Sequence, residues 1–288
     1  MLDDRIQAQY ETYPYPARNP HDETKHLRVV SPSQLFKVNH FAFGGRRDLS
    51  APLRVLVAVG GTGDAAIMMG QQMTDAGVPG TVIHLDLSAE SQDIARRRTE
   101  VRGLDNIEFV QGSLLDVGEL GLDTFDYIDC CGVLNHLEER LAGLQTLISV
   151  LAPDGGLGIT VYGELGRTGL YHVQDMLRTL GPVDEDDASR VESAKRLLEI
   201  LPPTNWFLRN GQLNDHKGGR RSRCFRSAAA FPRPRLQGAG ACRTDCRRGV
   251  AHNRLIATRR LRPGTVVEIA RTTGTSAGHG PDGTCCLR

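Results

Sequence analysis

The 288-residue sequence predicts an α/β fold, a parallel sheet with helices on both faces. Two observations predict it. Short β-branched runs recur from Leu53 onward, separated by stretches of helical length. The runs are nearly continuously apolar rather than alternating, as strands covered on both faces have to be. A hydrophobic content of 40% supplies one large core or two modest domains.

Leu53-Arg-Val-Leu-Val-Ala58 reads as the first strand, ending in a glycine-rich turn and a helix over Asp64–Ala76. Thr81–Asp86 is the second strand, followed by a helix over Ala89–Val101. Asn106–Val110 and Phe125–Cys130 are the third and fourth, and a helix over Leu137–Leu151 follows. After the turn Ala152-Pro-Asp-Gly-Gly156, Leu157–Tyr162 is the fifth. The sheet domain is therefore placed at residues 51–163, with ligands expected outside the carboxyl ends of the strands near the switch in strand order.

The flanks differ from this core. Residues 1–50 read as a cover segment, in which Gln9-Tyr-Glu-Thr-Tyr-Pro-Tyr-Pro16 sets tyrosines between prolines in an extended stretch. Residues 164–219 read as a helical cap, through Tyr171–Leu180 and Ala188–Leu201, which Pro202-Pro203 stops just before the single tryptophan, Trp206. No apolar stretch reaches the roughly 18–20 residues of a membrane helix. The start Met1-Leu-Asp-Asp-Arg lacks a basic, apolar leader, so a cytoplasmic protein without membrane contact is expected.

A net charge of +1 hides two compositions joined near Gly219. Residues 220–288 hold 15 Arg, no Lys and 3 acidic residues, a balance of +12 against −11 for the rest. Leu, Ile, Val and Phe total only 11 there, too few for a core, so an unstructured tail is expected.

The chemistry is expected around Val57-Ala-Val-Gly-Gly-Thr-Gly-Asp64. Glycines here let backbone N–H groups approach a ligand and present a helix N-terminus. Asp86 ends the second strand, where a carboxylate can accept both hydroxyls of a ribose. Gln111-Gly-Ser113 follows the third strand where an adenine edge would lie, and Cys131-Gly132 faces the same crevice. Cys130 and Cys131 read as buried structural thiols, and His136 as a base, a substrate contact or a helix-starting polar residue. No Cys/His grouping in residues 1–219 has metal-ligand spacing, and no metal is expected.

Together with Asn106-Ile-Glu-Phe-Val-Gln-Gly112, Gly132-Val-Leu-Asn-His-Leu137 and Leu151-Ala-Pro-Asp-Gly-Gly156, these features resemble the class I S-adenosylmethionine-dependent methyltransferases over residues 8–219. More narrowly they resemble a bacterial branch with a Tyr-Pro-Tyr-Pro N-terminus. The resemblance implies a Rossmann-like sheet, S-adenosylmethionine as cofactor, and methyl transfer to an acceptor that is either small or macromolecular. It implies that Gly61 and Gly63 bound the methionine moiety, Asp86 holds the ribose, and Leu87 flanks the adenine, with Ala58 among the cofactor-binding residues. Ser113 and Leu114 would meet the far edge of the adenine, with Cys131 and Gly132 completing the cofactor contacts; no catalytic base is implied. The family turn reads Gly-x-Gly-x-Gly, whereas Val59 stands at the first glycine, where a β-branched residue tolerates positive φ poorly.

Other readings stay open on the sequence alone. A nicotinamide-dependent oxidoreductase shares the fold class but lacks the third glycine of its fingerprint here. A non-catalytic protein with a nucleic-acid-binding tail would draw on the arginines, although nucleic acid is not the expected partner. For the tail itself, Cys242, Cys246, Cys285 and Cys286 with His252 or His279 could hold a metal. Alternatively the tail is a shifted reading frame, since Arg, Ala, Gly and Pro make up 36 of its 69 residues, as out-of-frame GC-rich DNA would give. Codons for Arg220–Ala241 can be chosen that, read one nucleotide later, continue Asp215–Gly219 in the manner of this methyltransferase branch.

Overall fold

A computed structural model describes residues 2–29, 33–161, 167–180 and 187–210, with the backbone of 254–257 and 269–271. The chain divides into two compact units, Met1–Val161 with Asn253–Arg288, and Tyr162–His252.

In the first unit, β1 (Leu53–Ala58), β2 (Gly80–Asp86), β3 (Ile107–Gln111), β4 (Phe125–Cys131) and β5 (Leu151–Thr160) form a parallel sheet in the order β3-β2-β1-β4-β5. The predicted strands and their order of connection agree, because continuous apolar runs leave few alternatives. After the single turn α2 (Leu35–Lys37), helices α3 (Asp64–Asp75) and α4 (Ala89–Arg102) carry the chain from β1 to β3, and α5 (Arg140–Ser149) joins β4 to β5. Ser88 caps α4 by accepting from the Ser91 N–H, and Gly103 closes it in the left-handed region.

Alternate residues of each strand feed opposite faces. Val55, Val57, Val82 and Tyr127 pack with Ile67, Met69 and Met73 of α3. Leu56, Ile83, Leu85 and Ile128 pack on the other face with Leu147 of α5. The central strands β1, β2 and β4 are thus covered on both faces.

Three expectations change. The N-terminal stretch expected to be extended from Gln9 is helical to Thr12, as α1 (Leu2–Thr12), and only Tyr13–Pro16 carries the chain across. The turn at Ala152–Gly156 lies inside β5 as an irregularity. Phe125 pairs with Leu151 and Tyr127 with Gly156, so β5 advances five residues against two. In the tail expected to be unstructured, β6 (Arg254–Ala257) pairs antiparallel with β5, and β7 (Ile269–Arg271) pairs antiparallel with β6. Backbone pairing to an open sheet edge asks little of side chains, which is how so polar a region supplies strands. Cys224, Cys242, Cys246, Cys285, Cys286, His252 and His279 lie outside the described residues.

The second unit contains α6 (Thr168–Leu180), α7 (Asp187–Ile200) and α8 (Trp206–Arg209), as the helical reading expects. Leu170, Val173, Leu197, Leu201 and Phe207 form its core. Asn205 caps α8 by accepting from the Phe207 N–H at 2.9 Å. Trp206 is exposed and stacks on His172, ring centroids 5.7 Å apart. No helix among the described residues is long and apolar enough to cross a membrane.

Candidate cofactor site

The residues expected to contact a cofactor stand at or just beyond the carboxyl ends of β1, β2, β3 and β4. Ala58 ends β1, Asp86 ends β2 and Leu87 follows it, while Ser113 and Leu114 lie just beyond β3. Cys131 ends β4 and Gly132 follows at φ +74°. The strand order reverses between β1 and β4, and a crevice at such a point is where open α/β sheets bind ligands.

The turn after β1 is left-handed at three places: Val59 at φ +59°, Gly61 at +55° and Gly63 at +97°. Val59 is the sole non-glycine residue with positive φ among the described residues. Gly63 is the N-cap of α3, and a Cβ there would press on Ala95 of α4. Glycine is thus required for close packing as well as for the turn.

Asp86 does more than end its strand. Its carboxylate accepts from the Gly61 N–H at 2.7 Å and from the Ser88 N–H at 2.9 Å, one on each oxygen. A carboxylate oxygen accepts two hydrogen bonds, so each keeps one acceptor position, an arrangement that suits a vicinal diol. Burial lifts the Asp86 carboxyl above its ordinary value, against the backbone donors and the neighbouring His84.

His84 was not singled out from the sequence, yet it is buried beneath the turn. Its Nε2 lies 3.0 Å from the Gly61 carbonyl oxygen and donates to it. Burial holds its imidazole below the ordinary range, so the neutral ring is favoured. The one signal was a histidine inside an otherwise apolar strand.

A second group missed from the sequence is an ion network on α4. Arg98, fully buried, donates to Glu23 from Nε (2.8 Å) and Nη2 (2.5 Å), and its Nη1 lies 2.8 Å from Asp64 Oδ1. Arg18 grips Asp64 with two donors, at 2.8 and 2.5 Å, and Arg102 reaches Glu23 at 2.5 Å. Burial pushes the Asp64 carboxyl up, but the hydrogen bond from Arg18 and the charge of Arg98 outweigh it and hold it below the usual value.

Just beyond the end of β2, Gln7 and Gln111 donate to the Leu87 carbonyl oxygen at 3.3 and 3.2 Å. Glu11 accepts from the Ala89 and Glu90 N–H groups at the start of α4, at 2.8 and 3.0 Å. Ser113, expected at the adenine edge, accepts from the Leu115 N–H as a cap. At the end of β4, Ser33 donates to the buried Asp129 and lies 3.3 Å from the Tyr127 hydroxyl. Burial and the nearby Asp129 push the Cys130 and Cys131 thiols up, so both stay protonated. His136 closes a short helical turn after β4. Among the described residues no group of His, Cys, Asp and Glu could hold a metal ion.

Residues 55–155 match the family model described as a methyltransferase domain. An uncharacterized protein of Synechococcus sp. is 32% identical over 79% of this chain and 53% of its own length. The tRNA 5-carboxymethoxyuridine methyltransferase of Escherichia coli is 36% identical over 40% of this chain and 42% of that protein. The ubiquinone biosynthesis O-methyltransferase of Actinobacillus pleuropneumoniae is 27% identical over 52% and 59%. The chain thus spans about half the length of the curated relatives it matches. Among solved structures, PKMT2 from Rickettsia typhi shares the fold, with a TM-score of 0.52 and 18% identity over 71% of this chain and 39% of that one.

Proposed function

We propose that the chain, whose residues 55–155 match the methyltransferase-domain family, transfers a methyl group from S-adenosylmethionine to an acceptor nucleophile. The observation that carries the reading is the Gly61 N–H bound to Asp86 at 2.7 Å, which locks the glycine turn of β1 to the acidic end of β2. A nucleoside with a zwitterionic tail needs both parts, side by side on adjacent strands.

Ala58, Gly61 and Gly63 would bound the methionine moiety, and the free acceptor positions of Asp86 would hold the ribose hydroxyls. Leu87, with Ser113 and Leu114, would enclose the adenine, and Cys131 and Gly132 would line the side toward β4. When bound, the cofactor supplies a methyl group made electrophilic by its sulfonium charge. The protein's part is to orient and to exclude water. The turn and Asp86 fix the cofactor on the sheet ends, and a fixed approach line for the acceptor supplies much of the acceleration. The thiols of Cys130 and Cys131, held protonated, take no nucleophilic part in this scheme.

Calorimetric titration with S-adenosylmethionine and S-adenosylhomocysteine tests the reading. Wild type should bind both, and Asp86→Asn should bind at least tenfold more weakly, since one diol contact with a charged acceptor is worth roughly 1.5–3 kcal/mol. Undiminished binding by Asp86→Asn would remove Asp86 from the site, and no binding by wild type would overturn the cofactor.

A further inference from the structure

We infer that the N-terminal segment is part of the cofactor site: Tyr15, Pro16 and Arg98 clamp Thr62 and hold the glycine turn in its ligand-ready shape, which makes Thr62 a positioning residue. The inference rests on the cofactor reading above and adds to it Tyr15 and Pro16 from outside the matched domain, with Thr62 and Arg98 from within it.

Thr62 is fully buried, and each of its polar groups is held by a residue distant in sequence. Its N–H donates to the Tyr15 carbonyl oxygen at 3.3 Å. Its Oγ1 donates to the Pro16 carbonyl oxygen at 2.6 Å. Its own carbonyl oxygen accepts from Arg98 Nη1 at 2.6 Å. The glycines around it are gripped from the opposite side by β2. Gly60 N–H donates to Leu85 O at 3.0 Å, Gly61 N–H to Asp86, and Gly61 O accepts from His84. The turn is therefore suspended between the sheet and a strap, the N-terminal segment that runs through Tyr15 and Pro16. A Cβ on Gly61 would run into the Tyr15 carbonyl oxygen, so the strap lies in direct contact with the turn.

This arrangement has a physical reason. The turn contains Val59 at φ +59°, a strained conformation that persists only when the surroundings over-determine it. Hydrogen bonds from both sides do that. The strap is in turn anchored by Arg18 on Asp64 and by Glu23 on Arg98 and Arg102, charge-assisted bonds largely out of solvent. Arg98 joins the two functions, since one guanidinium holds both Glu23 of the strap and the Thr62 carbonyl of the turn. Preorganised backbone binds a ligand without the ordering cost a loose turn would incur.

The test compares full-length wild type with Thr62→Val, which loses the bond to Pro16 at nearly constant volume, and Thr62→Ser, which keeps it. Two readouts are used: calorimetric affinity for S-adenosylhomocysteine, and amide hydrogen exchange at Gly61 and Thr62 in the ligand-free protein. Thr62→Val should bind roughly fivefold more weakly and exchange both amides several-fold faster, as expected for one lost buried hydrogen bond. Thr62→Ser should stay within twofold of wild type in both. A Thr62→Val protein with a lowered Tm but unchanged affinity and turn exchange would overturn the positioning role. So would a Thr62→Ser protein as impaired as Thr62→Val. If wild type binds no S-adenosylhomocysteine, the cofactor reading fails, and the exchange data alone uphold or overturn the clamp.

Discussion

Paired replacement of Val59 by alanine and by glycine isolates the strain in the turn after β1. Val59 sits at φ +59° with its side chain partly buried against the core of the α5 face. Both substitutions remove the two γ-methyl groups and their apolar contact, about 1 kcal/mol for a half-buried side chain. They differ in the Cβ. Alanine keeps a carbon that costs roughly 1–2 kcal/mol in the left-handed region, whereas glycine has none. Glycine returns about 0.5–1 kcal/mol through the freedom of its unfolded chain. Val59→Gly should therefore be about 1 kcal/mol more stable than Val59→Ala, a difference of roughly 2–4 °C in Tm for a domain of this size. Relative to wild type, Val59→Gly should be near neutral, because relief of strain offsets lost burial. Thermal and urea unfolding, followed by circular dichroism, measure all three proteins. Calorimetry with S-adenosylhomocysteine measures the second consequence, tighter binding by Val59→Gly because the turn then carries no side chain at this position. Equal stability of the alanine and glycine variants would refute the strain argument, and equal affinity of wild type and Val59→Gly would refute the steric one.

Three further outcomes are expected. Burial depresses the His84 pKa, so the unfolded chain binds a proton near pH 6.5 that the folded protein resists. The stability His84 permits is complete above about pH 6.5 and falls by up to about 1.4 kcal/mol per unit as pH drops toward its folded value. The raised carboxyl of Asp86 contributes a slope of opposite sign, so the measurement is the difference between wild type and His84→Gln in unfolding free energy from pH 7 to 5; parallel curves would count against it. In the helical unit, Phe207→Ala removes a fully buried ring and should cost about 3–5 kcal/mol. The transition is read by the fluorescence of Trp206, the single tryptophan, and an unmoved midpoint would contradict the core assignment. For the tail, the coding DNA should carry one extra nucleotide, net, near codons 219–220. Read one nucleotide later, it should then continue as Asp-Ala-Ala-Gly-Val-Phe-Asp-Leu-Leu-Leu; a DNA sequence without that alternative frame sinks the proposal.

The first of these outcomes depends on a residue that no local pattern singles out. His84 interrupts an apolar strand, and nothing local says what its ring meets. The same holds for Thr62 and Arg98, which look like an ordinary turn residue and an ordinary basic residue on a helix rich in arginine. By contrast, Ala58, Gly61, Gly63, Asp86 and Gly132 announce themselves. Glycines at strand ends and an acidic residue closing a strand are local patterns with few structural solutions.

The sequence by itself determined the layering. Apolar runs of five to seven residues alternating with helical stretches can be satisfied only by a covered parallel sheet, and the boundaries of β1 to β4 fall within one residue of those expected. It also determined where the glycine turn and Asp86 stand along the chain. The tertiary structure alone decided that Asp86 braces the turn, that His84 lies under it, and that residues 13–24 cross above it to pair with α4. Those contacts join positions 25, 23 and 75 residues apart, as in Gly61 with Asp86, Gly61 with His84 and Glu23 with Arg98. Periodicity encodes which face of an element is buried, but not which polar group waits there. That pairing is fixed only when the strands take their order and the strap closes a loop over their ends.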